Sequence, residues 1–152
     1  MSSEKYTLKQ AKTAKRIIKY FAKFQASIFL MSKGKLWNKW PGGFPIMVVE
    51  TKGAKSNKIR NIPLIYVHQD GMPILVASLG GMPKNPNWYY NVKAHPAVKV
   101  STIHGSGNFL AEEVSKEKKD ELWPLICSFN PDYETYQSNT SREIPVFLCK
   151  KL

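Results

Sequence analysis

Metal-binding and disulfide chemistry are almost missing from this chain. It holds two cysteines, Cys127 and Cys149, and three histidines, His68, His95 and His104. The cysteines form no Cys-x-x-Cys pair, and the scattered histidines show no His-Glu-x-x-His or His-x-His spacing. No metal is therefore expected, and the thiols read as reduced, as in a cytoplasmic protein. Long apolar runs are absent too. Ala26–Met31, broken by Ser27, falls far short of the roughly 20 residues that span a bilayer. No small-residue cleavage site follows it, so no signal peptide is read. Acid is scarce: 11 Asp and Glu face 23 Lys and Arg, a net charge of +12 over 152 residues. Such a field favours nucleic acid, an anionic membrane surface or a polyanionic small molecule. No nucleophile–base set stands out, no Gly-x-Gly-x-x-Gly follows a first strand, and no Walker loop is present.

Apolar spacing supplies the elements. Residues 8–32 are expected to form an amphipathic helix, with Ile17, Phe21, Phe24, Ile28 and Met31 on one face and Lys12, Lys15, Arg16, Lys19 and Lys23 opposite. That face either packs on the domain or lies on an anionic lipid surface. Beyond the breakers Gly34, Pro41-Gly42-Gly43 and Pro45, strands are expected at 46–51, 59–68 and 72–78, the last two joined by an Asp70-Gly71 hairpin. A short helix over 87–94 stops at His95-Pro96. Strands at 98–103 and 108–114 flank a 104–107 turn. Ser115 caps a helix over 116–129 whose continuity Pro124 weakens, and a helical turn over 133–138 precedes a last strand at 144–149. Successive hairpins without βαβ alternation predict an antiparallel sheet closed into a small barrel with flanking helices. The expected organisation is one domain: a helix and linker over 1–40, then a barrel over 41–152.

Two stretches could carry chemistry. Thr51 to Arg60 sets Lys52, Lys55, Lys58 and Arg60 around Gly53 between two strands, an anion cradle or a solvated basic hairpin. In ASLGGMPKNPNWYYNV, from Ala77 to Val92, a serine ends a strand and is followed by Gly80-Gly81, two prolines and Trp88-Tyr89-Tyr90. Glycines there permit close approach to a ligand, while at least one of the adjacent aromatics must be core. Tyr133 and Tyr136 share one helical face and offer stacking surface and a phenolic proton, or simple packing. An anion cradle and aromatic plates without a triad suggest that an organic cofactor supplies the reactivity.

From Pro45 to Leu148 the chain resembles the deazaflavin (coenzyme F420)-dependent nitroreductase and quinone reductase family, split β-barrel relatives of the FMN-binding oxidases. The motifs run in order: Thr51-Lys-Gly53-Ala54-Lys55-Ser56-Asn57-Lys-Ile-Arg60; Pro63-Leu64; Asp70-Gly71; Ala77-Ser78-x-Gly80-Gly81; and Asn85-Pro86-x-Trp88-Tyr89-x-Asn91. The pattern closes with Pro131-x-Tyr133-x-x-Tyr136-Gln137-x-x-Thr140-x-Arg142-x-Ile144-Pro145. The resemblance implies that Ala54, Lys55, Ser56 and Arg60, with Asn61 and Ile62, hold the phosphate and acidic oligoglutamate tail of the cofactor. Val76, Ala77, Ser78 and Leu79, with Asn87, Trp88, Tyr89, Tyr90 and Asn91, would line its ring and linker. Tyr133 would touch both ring and substrate, and Tyr66, Ser78, Tyr133 and Tyr136 would face the substrate as catalytic candidates.

The implied reaction is hydride transfer from reduced deazaflavin to a quinone, nitroaromatic or activated alkene. It would take place in the cytoplasm, with contact at the inner face of the plasma membrane. Nucleic acid is not an expected partner. Four residues depart from the family pattern: Ala54, Asn57, Leu79 and Asn130. An FMN- or haem-binding split barrel, and a non-catalytic basic module for membrane or nucleic acid, are the alternatives that the residues leave open.

Overall fold

The run Ile46-Met47-Val48-Val49 is apolar at every position, which suits a strand covered on both faces. The computed structural model describes residues 7–152. In chain order it contains helix α1 (Leu8–Met31) and strands β1 (Lys39–Trp40), β2 (Phe44–Lys52), β3 (Ile59–Ile65), β4 (Val67–Gln69) and β5 (Met72–Val76). A single 3-10 turn, Leu79–Gly81, leads to α2 (Asn87–Ala94), β6 (Ala97–Thr102) and β7 (Gly105–Glu113). Helices α3 (Lys116–Phe129) and α4 (Asp132–Ser138) then precede β8 (Val146–Lys151). The first six residues of the expected 1–40 segment lie outside the described residues.

All strand pairs are antiparallel, in the order β1-β2-β6-β7-β8-β5-β4, with β3 on the other edge of β2. Closure comes from a bend. One strand was expected over 59–68; instead β3 pairs with β2 as far as Ile65 opposite Ile46, and β4 then pairs with β5, Val67 opposite Ile74. At the corner, the Tyr66 N–H donates to the Pro45 carbonyl at 2.8 Å. The bend lets one segment serve both ends of the sheet, giving a split barrel. Asp70 and Gly71, at φ 51° and 79°, form the expected two-residue hairpin turn. The other hairpin is tighter than the expected 104–107 turn. Thr102 pairs with Gly105, so only Ile103 and His104 turn, and the Thr102 Oγ1 accepts the His104 N–H at 3.1 Å.

Side-chain alternation sorts the apolar residues into separate cores. Met47, Val49, Leu75, Ala77 and Phe147 point into the barrel, where Trp88 and Val92 of α2 plug it. Ile74, Val76 and Val146 point outward under α3 and α4. Helix α3 starts on Ser115, whose Oγ accepts the Lys118 N–H, and continues through Pro124. That proline lies on the exposed side, where water can take the carbonyl left without a donor.

Helix α1 does not pack on the domain through the expected apolar face. Ile17 is 66% and Met31 86% exposed, and Phe21 and Phe24 are exposed as well. The buried side is Gln25, Ala26 and Phe29, with Ala26 and Phe29 packed on Ile46 and Val48. Alanine lets the helix axis approach the sheet, and Gln25 donates Nε2 to the Trp37 and Lys39 carbonyls, each at 3.2 Å, while its buried Oε1 has no donor among the described residues. At 100° per residue the helix therefore has three stripes: a small-residue buried one, an exposed aromatic one and a basic one. Trp37 and Trp40 shield part of the aromatic stripe through rings 5.3 Å from Phe24 and 6.0 Å from Phe21.

Candidate functional site

The basic turn between β2 and β3 closes on itself. The Gly53 N–H donates to the Lys58 carbonyl (2.8 Å), the Asn57 N–H to the Gly53 carbonyl (3.0 Å), and the Lys58 N–H to the Ser56 Oγ (3.2 Å). Gly53 is buried, and a Cβ there would collide with the Ser56 Oγ, so a larger residue would displace the hydroxyl that accepts the Lys58 N–H. Asn57, which departs from the family pattern, adopts the left-handed φ of 56° that asparagine tolerates best among non-glycines. Lys52, Lys55, Lys58 and Arg60 are all exposed, and none belongs to an ion pair among the described residues. The Lys55 and Ser56 N–H groups have no protein acceptor there either. Exposed unpaired cations around free backbone N–H groups fit a phosphate or a run of carboxylates.

The turn is tied to α2: the Ala54 N–H donates to the Asn91 Oδ1 at 3.0 Å. Register separates the neighbouring candidates. Arg60 and Ile62 lie opposite Thr51 and Val49, on the barrel-interior side, whereas Asn61 lies opposite Glu50 on the other face of the sheet. The Asn61 side chain is thus turned away from the two residues it was grouped with; its buried Oδ1 has no partner among the described residues. On α2 the aromatics divide as their spacing requires. Trp88 is core, 6.0 Å from the Phe147 ring. Tyr89 is half-buried and donates to Glu113, and Tyr90 is exposed. Asn87 is exposed at the first turn.

Across α2 lies the second turn. Val76 packs outward with α4 and Ala77 inward, so the two share no face; Ser78, half-buried, follows them at the strand end. Leu79, Gly80 and Gly81 then take positive φ in succession, 44°, 63° and 78°. A Cβ on Gly81 would collide with the Tyr136 carbonyl, which fixes this turn under α4.

Its other anchor is Arg142, which sequence reasoning placed in the closing pattern without a role. The guanidinium donates Nε to the Met82 carbonyl (2.9 Å) and Nη2 to the Ser78 carbonyl (2.8 Å). Nη1 donates to the Ala77 carbonyl (3.2 Å) and to the Asn85 Oδ1 (2.8 Å). Burial holds its pKa below the usual arginine value. The only advance signal was indirect: carbonyls where a strand ends have lost their sheet partners and can take donors from elsewhere.

The tyrosines stand at different depths. Tyr133 is 5% exposed, between the rings of Trp123 (6.4 Å) and Tyr136 (6.0 Å). Burial pushes its phenol well above the ordinary value, so it stays protonated throughout neutral pH. Tyr136 is half-buried, with its carbonyl against Gly81. Tyr66, at the barrel corner, stacks on His68 at 4.8 Å, and His68 meets Phe129 at 5.1 Å. Asn130 is buried, and its Oδ1 accepts the Asp132 N–H at 3.1 Å to start α4. It offers no ring to a substrate.

A family model described as F420H(2)-dependent quinone reductase matches residues 21–151. The chain belongs to that family. It is 34% identical over 128 residues to an F420H(2)-dependent quinone reductase of Mycobacterium tuberculosis, covering 82% of this chain and 86% of the relative. A solved structure of an F420-H2 dependent reductase, FDR-A, superposes with a TM-score of 0.66 at 42% identity, over 70% of this chain and 94% of that one. A Listeria innocua protein assigned as a pyridoxamine 5′-phosphate oxidase shares the fold at 14% identity. Its TM-score is 0.50, over 70% of this chain and 82% of its own. Family membership makes F420 the cofactor and reduction the activity, and the Listeria likeness makes the barrel one of the split-barrel type. Among the described residues no helix is long and apolar enough to cross a membrane.

Proposed function

We propose that this reductase binds F420 between the Gly53–Asn57 turn and the Ser78–Gly81 turn, against α2, and reduces a quinone there. The observation that carries this reading is the link from Ala54 to Asn91, which joins the unpaired cationic turn to the aromatic helix. Reduced F420 supplies a hydride when bound. Lys55, Ser56 and Arg60 hold its acidic end by charge and by free N–H groups, and Ala54 contributes backbone only. Ile62, Ala77 and Leu79 give apolar wall.

The chain's remaining work is orientation, exclusion of water and delivery of a proton. Ser78 Oγ, half-buried at the fixed strand end, is a candidate donor. Tyr133 offers a phenol that burial keeps neutral, Tyr136 a second phenol beside it, and Tyr66 faces the barrel interior from the corner. Nitroaromatics and activated alkenes form the wider acceptor class, since each is a flat electrophile.

The test is oxidation of reduced F420 against a panel of quinones and nitroaromatics. Turnover with quinones is expected, and no turnover with any acceptor would refute the reading. Tyr133→Phe is expected to slow turnover while leaving cofactor affinity intact; unchanged turnover would remove its proton role.

A second reading concerns where the quinone is met. The exposed Ile17, Phe24 and Met31 stripe runs beside exposed Lys12, Arg16, Lys19 and Lys23. A basic flank beside aromatic and aliphatic residues suits an anionic membrane surface at the cytoplasmic side. Residues 1–40 then act as the docking element and 41–152 as the cofactor-binding barrel. Flotation with anionic vesicles should carry the protein up, and Phe24→Glu should abolish this. Equal behaviour on neutral vesicles would count against it.

A further inference from the structure

Three cations from distant parts of the chain converge on Asn85. Lys15 of α1 donates Nζ to its backbone carbonyl at 3.3 Å, and Arg142 donates Nη1 to its Oδ1 at 2.8 Å; Lys84 is its chain neighbour. None of the three belongs to an ion pair among the described residues. The acceptors that hold Arg142 are all neutral: three backbone carbonyls and one amide. A guanidinium has five N–H donors, so one of its Nη2 hydrogens remains. Elsewhere the molecule does pair its charges, as in Lys93 with Glu113, Lys119 with Glu143 and Lys150 with Glu112. Like charges gathered beside a half-buried guanidinium repel one another, and no carboxylate among the described residues pairs with them. The lowered pKa of Lys15, caused first by burial and then by Lys84 and Arg142, reflects the same crowding.

The cluster lies along α2 from the basic turn. Tyr90 is close enough to Arg142 to act on its charge, and the next residue, Asn91, holds Ala54. An eight-residue helix is about 12 Å long. One extended polyanion can therefore touch both groups of cations.

We infer that Lys15, Lys84 and Arg142, gathered around Asn85, form a second anion-binding site that takes acidic groups of the F420 tail. This rests on the F420 reading above. The shared chemistry is an oxyanion, either the cofactor's phosphate or the carboxylates of its glutamates.

The experiment is an equilibrium titration by deazaflavin fluorescence on the full chain, with three ligands. These are F420 with its glutamates, a form ending at the phosphate-linked acid, and the ring–ribityl fragment without phosphate. Lys84→Ala and Lys15→Ala are compared with wild type and with Lys118→Ala, whose lysine pairs with Glu121 on α3. Each of the first two is expected to weaken tailed F420 about 3–10-fold and to flatten its salt dependence, with the fragment unaffected and Lys118→Ala silent. Loss confined to the glutamate-bearing form assigns carboxylates, and loss in both phosphate-bearing forms assigns phosphate. Unchanged affinity for all three ligands, or an equal loss with the fragment, would overturn the site while wild-type binding left the F420 reading standing. A wild-type protein that binds none of the three would overturn both.

Discussion

The two turns that frame the candidate site differ in how far away their supports lie. The 53–57 turn is closed by its own backbone and by Ser56, within six residues. The 78–82 turn has its own backbone bonds, Gly81 N–H to the Ser78 carbonyl and Met82 N–H to the Leu79 carbonyl. It is also clamped from outside, by a guanidinium 60 or more residues away and by the Tyr136 carbonyl of α4. A self-closed turn needs none of its cations for structure, so all of them can face a ligand. An externally clamped turn presents few groups but fixes them, which suits a hydroxyl such as Ser78 that must stand still. Charge is carried by the local turn, and position by the long-range one.

Substitutions can break or sharpen that contrast. Arg142→Met should have the largest effect. Losing four hydrogen bonds at a half-buried position is expected to cost about 3 kcal/mol, lowering Tm by roughly 6–12 °C. A shift of a degree or two would mean that the clamp is dispensable. Gly81→Ala comes next, at about 2 kcal/mol, because the methyl meets the Tyr136 backbone at a positive φ. Gly80→Ala, with nothing within 4 Å of its Cβ, should cost only about 1 kcal/mol for the left-handed backbone. Equal losses at the two glycines would deny the contact with α4.

Lys55→Ala should leave Tm unchanged and weaken F420 about tenfold, or about 1.4 kcal/mol. A fall in Tm would show that the basic turn is not self-supporting. The smallest effect separates the two left-handed non-glycines, Asn57 and Leu79. Leu79→Gly is expected to raise stability by about 0.5 kcal/mol, since leucine tolerates positive φ poorly, whereas Asn57→Gly should change it by about 0.3 kcal/mol or less. Chemical denaturation of the pair measures this difference, and a larger gain at Asn57 would reverse the order.

What could be read in advance follows the same divide. Helices α2 and α3 begin and end where their local punctuation says: Pro86 and His95-Pro96 for one, Ser115 and Asn130-Pro131 for the other. The cationic turn was equally plain, because its charges and glycine are contiguous. Non-local features were hidden. The change of partner at Tyr66, the Arg142 clamp and the cluster at Asn85 all depend on segments brought together by the barrel. The face of α1 misled for a different reason. Large apolar residues dominate periodicity, while the stripe that packs is made of alanine, one glutamine and one phenylalanine. Asn61 could have been separated from Arg60 and Ile62 by strand alternation alone.

The most direct test is a paired equilibrium titration of the protein with F420 and with FMN under one salt condition. F420 carries the ring and the acidic tail that the two turns and α2 are proposed to hold. The account predicts saturable 1:1 binding of F420 and no saturable binding of FMN over the same range. Tight FMN binding without F420 binding would contradict it.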